Sequence, residues 1–130
     1  MRVLIVEDNP ITGSSLCLYL QEHGHEAEFV GDGLSALTKL SVPGEFLPDV
    51  ILSDWRMPGM DGGELLERLQ QREEWKRIPV ALWTAASLDD QITLKKKWDS
   101  VRFLPKPYDP KGLLDALKEI GTQREIGDSR

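Results

Sequence analysis

Asp54 closes an apolar run, Val50-Ile51-Leu52-Ser53, and the turn-forming stretch Met57-Pro58-Gly59-Met60-Asp61-Gly62 begins three residues later. An acid at the tip of a buried strand is unfavourable without a partner or a task. Other polar residues stand in the same kind of place. Glu7 and Asp8 follow the apolar residues 3–6, Thr84 follows residues 80–83, and Lys106 comes just after residues 101–104. Carboxylates gathered at short range raise one another's pKa or require a cation. Hard oxygen donors with room for water suit Mg²⁺, which takes one or two protein carboxylates and a phosphate. Lys106 would add a fixed positive charge and Thr84 a hydroxyl. That set around one carboxylate is suited to phosphoryl transfer, with Asp54 as nucleophile. Mg²⁺ and Lys106 would offset charge on the transferring group.

The chemistry requires elements that bring these residues to one place. Apolar runs predict strands at 3–6, 25–30, 49–53, 79–83 and 101–104. Between them, Gly13, Leu16, Cys17 and Leu20 recur at helical spacing, as do Leu34, Leu37 and Leu40, and then Gly62, Leu65, Leu66 and Leu69. A fourth helix is expected over 88–98, with a thin apolar face on Leu88, Ile92 and Leu94. A fifth is expected over 110–120 on Leu113, Leu114, Leu117 and Ile120. Asn9 and Pro10 read as the cap and first turn of the first helix, and Gly24 as its end. Five strand–helix units in succession imply an α/β fold, a doubly wound five-stranded parallel sheet covered on both faces. Ligands of such sheets bind beyond the C-terminal strand ends. Asp8, Asp54, Thr84 and Lys106 all belong to that edge.

The bulk properties restrict the function classes. A chain of 130 residues is expected to form one domain. A net charge of -6 argues against general nucleic-acid binding. The only cysteine, Cys17, cannot form an internal disulfide, which fits a reducing compartment, and it reads as a small core residue. No apolar run approaches the ~20 residues needed to span a bilayer, so no membrane segment is expected. A cytoplasmic location is. Met1, directly before the first strand, reads as the natural start. Residues 121–130 read as a polar, frayed tail or the start of a linker. His23 and His25 flank a glycine and read as turn residues. Lys95, Lys96 and Lys97 read first as a solvated helix face.

Taken together, the acidic pair Glu7-Asp8 with Asn9-Pro10, Gly24-His25-Glu26, Asp32-Gly33, Pro48-Asp49, Asp54, Met57-Pro58-Gly59-Met60-Asp61-Gly62, Thr84-Ala85 and Lys106-Pro107 resemble the receiver domain of bacterial response regulators. These are the phospho-acceptor modules of two-component signalling, and the likeness is to the chemotaxis regulators in particular. It covers residues 1–120. It implies the flavodoxin-like strand order 2-1-3-4-5 and a Mg²⁺ cofactor. Asp54 matches the phosphorylated aspartate and also a metal ligand, Asp8 the main metal ligand, and Glu7 a partner acting through water. The backbone carbonyl of Arg56 matches a further ligand, Lys106 the phosphoryl-pairing lysine, and Thr84 the switch hydroxyl. Phe103 matches the aromatic switch position, although its apolar strand context alone reads as core. Pro107 matches a proline often preceded by a cis peptide bond. The implied partner is a histidine kinase or histidine phosphotransfer protein, and the resemblance allows a homodimer on phosphorylation. Such a domain is a signalling switch that catalyses only its own phosphorylation and slow dephosphorylation.

Other readings remain. An aspartate-nucleophile phosphatase would need a second Asp two residues after the nucleophile, and Arg56 stands there. A receiver-like module that binds partners without phosphorylation is a further alternative. A dinucleotide-binding domain is rejected, because Glu7-Asp8-Asn9-Pro10 is acidic where a glycine phosphate cradle is needed. Two departures from the family are visible. Trp98-Asp99-Ser100-Val101 replaces the small pair usual before the fifth strand, and Trp55-Arg56 follows the acceptor. Hypothesis: Arg56 tunes the lifetime of the phosphoryl group by ordering or excluding the attacking water. Arg56→Ala is then expected to change the dephosphorylation rate, measured by decay of the phosphorylated protein, and an unchanged rate would dismiss the idea.

Overall fold

A computed structural model describes residues 1–42, 47–57, 59–84, 88–97, 101–105 and 109–128. The order is β1 (Arg2–Val6), α1 (Pro10–Glu22), β2 (Glu26–Val30), α2 (Gly33–Ser41), β3 (Val50–Asp54), α3 (Gly62–Gln70), β4 (Val80–Thr84), α4 (Leu88–Lys97), β5 (Arg102–Pro105) and α5 (Pro110–Asp128). The strands form one sheet in the order β2-β1-β3-β4-β5, and every pairing is parallel. This is the doubly wound arrangement, with flavodoxin-like strand order, that the alternating pattern implied.

The apolar strand runs supply two cores because successive side chains leave a strand on opposite faces. Val3, Ile5, Val50, Leu52, Ala81, Trp83 and Leu104 pack with Leu16, Cys17 and Leu20 of α1 and with Leu113, Leu114, Leu117 and Ile120 of α5. The alternate residues Leu4, Val6, Ile51, Val80 and Leu82 pack on the other face, against Ala36 and Leu40 of α2 and Leu65, Leu66 and Leu69 of α3. Burial on both faces explains why β1 and β3 read as unbroken apolar runs.

Caps fix where the helices begin. The Asn9 side chain accepts from the amides of Ile11 at 3.0 Å and Thr12 at 3.2 Å. Asp32 accepts from Ser35 N–H at 2.7 Å, and these hydrogen bonds hold its carboxyl below the usual range. Asp61 accepts from Glu64 N–H at 2.8 Å and opens α3. Gly24 takes the left-handed conformation, φ +86, just past α1, as expected of a helix-terminating glycine.

The differences from the sequence-based expectations lie at element ends. The β3 and β4 strands start one residue later than expected and include Asp54 and Thr84. The last helix runs on to Asp128 instead of stopping at residue 120. No proline follows residue 110, and Gln, Arg and Glu in the extension are good helix formers. Between α3 and β4, Trp75 is buried, and the Arg72 guanidinium lies 4.5 Å from its ring centroid. Lys95 and Lys96 are exposed, as expected of a solvated helix face, and Lys95 Nζ also donates to the Val101 carbonyl at 2.5 Å, tying α4 to the residue before β5. The Trp98-Asp99-Ser100 departure lies outside the described residues. Cys17 is buried, and burial followed by the nearby Glu28 charge raises its thiol pKa.

Leu52 is 1% exposed and sits on the central strand. Leu52→Ala should destabilise the fold by about 2–5 kcal/mol, read as a lower urea midpoint at unchanged slope.

Candidate functional site

The site is built by register. Within the β1–β3 ladder Val6 stands opposite Ser53, so the next residues, Glu7 just past β1 and Asp54 at the end of β3, come side by side at the edge of the sheet. Glu7 N–H donates to the Val30 carbonyl at 3.0 Å, which continues the β1–β2 alignment one residue past the strand. Asp8 then lies between this anchored backbone and the Asn9 cap of α1. One carboxylate oxygen from each of Glu7, Asp8 and Asp54 falls within 4.8 Å of the others. Glu7 is buried at 4% exposure, Asp54 is half-buried and Asp8 is exposed. The cluster therefore runs from the interior to solvent, with Asp54 in between.

Magnitudes decide what such a cluster needs. At separations near 5 Å and an effective dielectric of about 20, each pair of like unit charges repels by roughly 3–4 kcal/mol. An exposed ion pair returns at most about 1 kcal/mol. A divalent cation among the three oxygens would add attractions that outweigh these repulsions. The donor set is all oxygen and close to the spacing of about 3–4 Å between ligands of one Mg²⁺. Glu7, Asp8 and Asp54 thus fit a hard divalent cation.

The stretch after Asp54 is anchored as well. Ser53 is fully buried, and its Oγ donates to the Asp54 carbonyl at 3.0 Å. Gly62 N–H donates to the Trp55 carbonyl at 2.8 Å, closing the loop between β3 and α3. Trp55 is half-buried with its ring against Gly63, and Arg56 beside it is exposed. Gly59 takes φ +79 in this loop. Ser53 and Gly62 carry no individual signal in the sequence.

The other expected site residues are placed less completely. Thr84 ends β4, in register with Pro105, and is located by its backbone. Trp83, the residue before it, is the register partner of Asp54. Phe103 lies in β5, half-buried at the rim of the core formed with α2 and α3. Lys106 and Pro107 lie outside the described residues. Hence the described structure brings together the three acids and sets Thr84 on the neighbouring strand end.

Comparison with known proteins agrees with this edge. Residues 3–118 match the family model described as response regulator receiver domain. The chain is 29% identical over 119 residues to the phosphate regulon transcriptional regulatory protein PhoB of Escherichia coli K12, covering 92% of this chain and 51% of that protein. It thus spans about half the length of the first curated relatives it matches. It is 32% identical over 121 residues to chemotaxis protein CheY-3 of Vibrio cholerae, covering 92% of this chain and 91% of the relative. Among solved structures, a CheY-like response regulator receiver domain protein from Methanospirillum hungatei superposes with a TM-score of 0.83 at 28% identity, covering 97% of each chain. The receiver domain of a signal transduction histidine kinase from Syntrophus aciditrophicus gives 0.80 at 32% identity, covering 94% of this chain and 90% of its own.

The acidic cluster generates a metal prediction. Mg²⁺ titration should change tryptophan emission through Trp55, which adjoins Asp54. Asp8→Asn should weaken the apparent Mg²⁺ affinity at least tenfold, and equal affinities would remove Asp8 from the metal site.

Proposed function

The chain belongs to the response regulator receiver domain family, and from that membership we propose that Asp54 accepts a phosphoryl group from a phosphohistidine and that the transfer switches a partner-binding surface. The observation that carries the reading is the meeting of Glu7, Asp8 and Asp54 within 4.8 Å at the C-terminal edge of the sheet. An Asp54 carboxylate oxygen attacks phosphorus. The nitrogen–phosphorus bond of the donor breaks, an acyl phosphate forms, and the departing imidazole takes up a proton. Bound Mg²⁺, held by Asp8, Asp54 and the Arg56 backbone carbonyl with Glu7 acting through water, would offset negative charge on the phosphoryl oxygens. Lys106 pairs with one of those oxygens. Thr84 supplies the hydroxyl that turns toward the phosphoryl group, and Phe103 moves into the space Thr84 leaves. Trp55 and Arg56, next to the acceptor, modulate its lifetime.

The supporting chemistry is the sign of the charges. Three acids alone would repel a phosphoryl donor, so a cation and a lysine on the same edge are what make the site competent. The switch is a shift between two states of the β4–β5 side, stabilised by whichever contacts the phosphoryl group makes in only one of them. In this reading the partner upstream is a histidine kinase or a histidine phosphotransfer protein. The receiver unit is residues 1–120, the location is cytoplasmic, and phosphorylation permits a homodimer. Among the described residues no helix is long and apolar enough to cross a membrane.

Beryllofluoride, a phosphoryl mimic, tests the assignment. With Mg²⁺ present it should change the emission of Trp55 or Trp83 in wild type. Asp54→Asn should abolish that response while the circular dichroism spectrum stays unchanged. A response that survives in Asp54→Asn would move the acceptor elsewhere.

A further inference from the structure

Gly62 is the first residue of α3, and its backbone lies against the nucleophile's own main chain. A Cβ built there would come 2.7 Å from the carbonyl oxygen of Asp54, 3.2 Å from the Cα of Trp55 and 2.9 Å from Cδ2 of Leu82. The first two are backbone atoms, which cannot swing aside as the end of a side chain can. The same residue donates its N–H to the Trp55 carbonyl at 2.8 Å. Its φ is not left-handed, so conformational freedom is not what the position demands. Close approach is the remaining reason for glycine.

The neighbours show how specific this is. At Gly63 a Cβ would meet only the edge of the Trp55 ring, at 3.3 and 3.4 Å, and the Asp61 carboxylate at 3.4 Å. At Gly33 it would meet the Met60 side chain, with Sδ at 2.8 Å, a flexible group that can yield. Among the described glycines, Gly62 is the one where the obstruction is the main chain at Asp54.

We propose that Gly62 is a positioning residue for phosphoryl transfer: by letting the first turn of α3 seat directly on the Asp54 peptide, it fixes the direction of the Asp54 carboxylate and of the loop carrying the Arg56 carbonyl. This rests on the reading of Asp54 as acceptor. A side chain at position 62 forces the peptide after Asp54 to tilt. The tilt passes to the carboxylate through Cα, and along two peptide units to the Arg56 carbonyl. Shifts of about 1 Å in a reacting group reduce rates by up to about a hundredfold. The effect therefore falls on the rate even where the fold is intact.

The experiment compares wild type, Gly62→Ala and Leu117→Ala, using acetyl phosphate with Mg²⁺ on the full chain. Leu117 is fully buried in α5, within the core on the other face of the sheet, so its truncation destabilises the fold without touching the Asp54 main chain. The expected result is at least a tenfold fall in the rate constant for phosphoryl incorporation at saturating Mg²⁺ in Gly62→Ala. Leu117→Ala should stay within twofold of wild type below its thermal midpoint, however far that midpoint drops. Equal rates in Gly62→Ala and wild type, or equal losses in both variants, overturn the proposal. If Gly62→Ala folds only with an osmolyte, all three are compared in it; failure to fold even then makes Gly62 a structural residue and overturns it too. A wild type that takes up no phosphoryl group refutes the acceptor role of Asp54 itself, and this proposal with it, an outcome distinct from a wild type that reacts alongside a fully active Gly62→Ala.

Discussion

Three carboxylates within 4.8 Å of one another repel, and the rest of the fold is what holds them there. The two cores on either side of the sheet provide the restraint. Val3, Ile5 and Leu52 anchor one face, and Leu4, Val6 and Ile51 the other, all at most 1% exposed. With β1 and β3 locked in register, Glu7 and Asp54 have no freedom to separate by sliding, because a one-residue slip would exchange every side chain between the two faces. Stability built in the core thus holds the three acids together at one edge against their mutual repulsion.

The same constraint organises the loops. Asn9 and Asp61 cap the helices that leave the two acidic strand ends. Both caps sit within seven residues of a site acid, so the chain turns sharply away and leaves the carboxylates at the edge. Gly62 carries this further by bringing α3 onto the Asp54 peptide itself. In the family reading, phosphorylation acts on this edge, and β4 and β5, which carry Thr84 and Phe103, transmit the change.

Much of this was legible in the sequence for a physical reason. Parallel strands buried on both faces have to read as apolar runs, and the polar residues that end them must then share one edge. Glu7, Asp8 and Asp54 therefore share one edge in the sequence pattern, and Thr84 follows the fourth strand on that same edge. The composition of β2, Glu26-Ala27-Glu28-Phe29-Val30, alternates only in part because it is an edge strand with one side open. Contacts between main chains were not legible. The approach of Gly62 to Asp54 leaves only a glycine in the sequence, and the Lys95 bond to Val101 depends on how α4 meets β5. The continuation of α5 past residue 120 was hidden by its polar composition, which reads as a tail when only the apolar stripe is followed.

The central claim is that Asp54 carries the phosphoryl group, and its covalent chemistry can be read directly. Acyl phosphates are reduced by borohydride, which leaves homoserine in place of the aspartate. After reaction with acetyl phosphate and Mg²⁺, then reduction and peptide mapping by mass spectrometry, homoserine is predicted at position 54. Homoserine at another aspartate, or at none while phosphoryl incorporation is detected, would contradict the account.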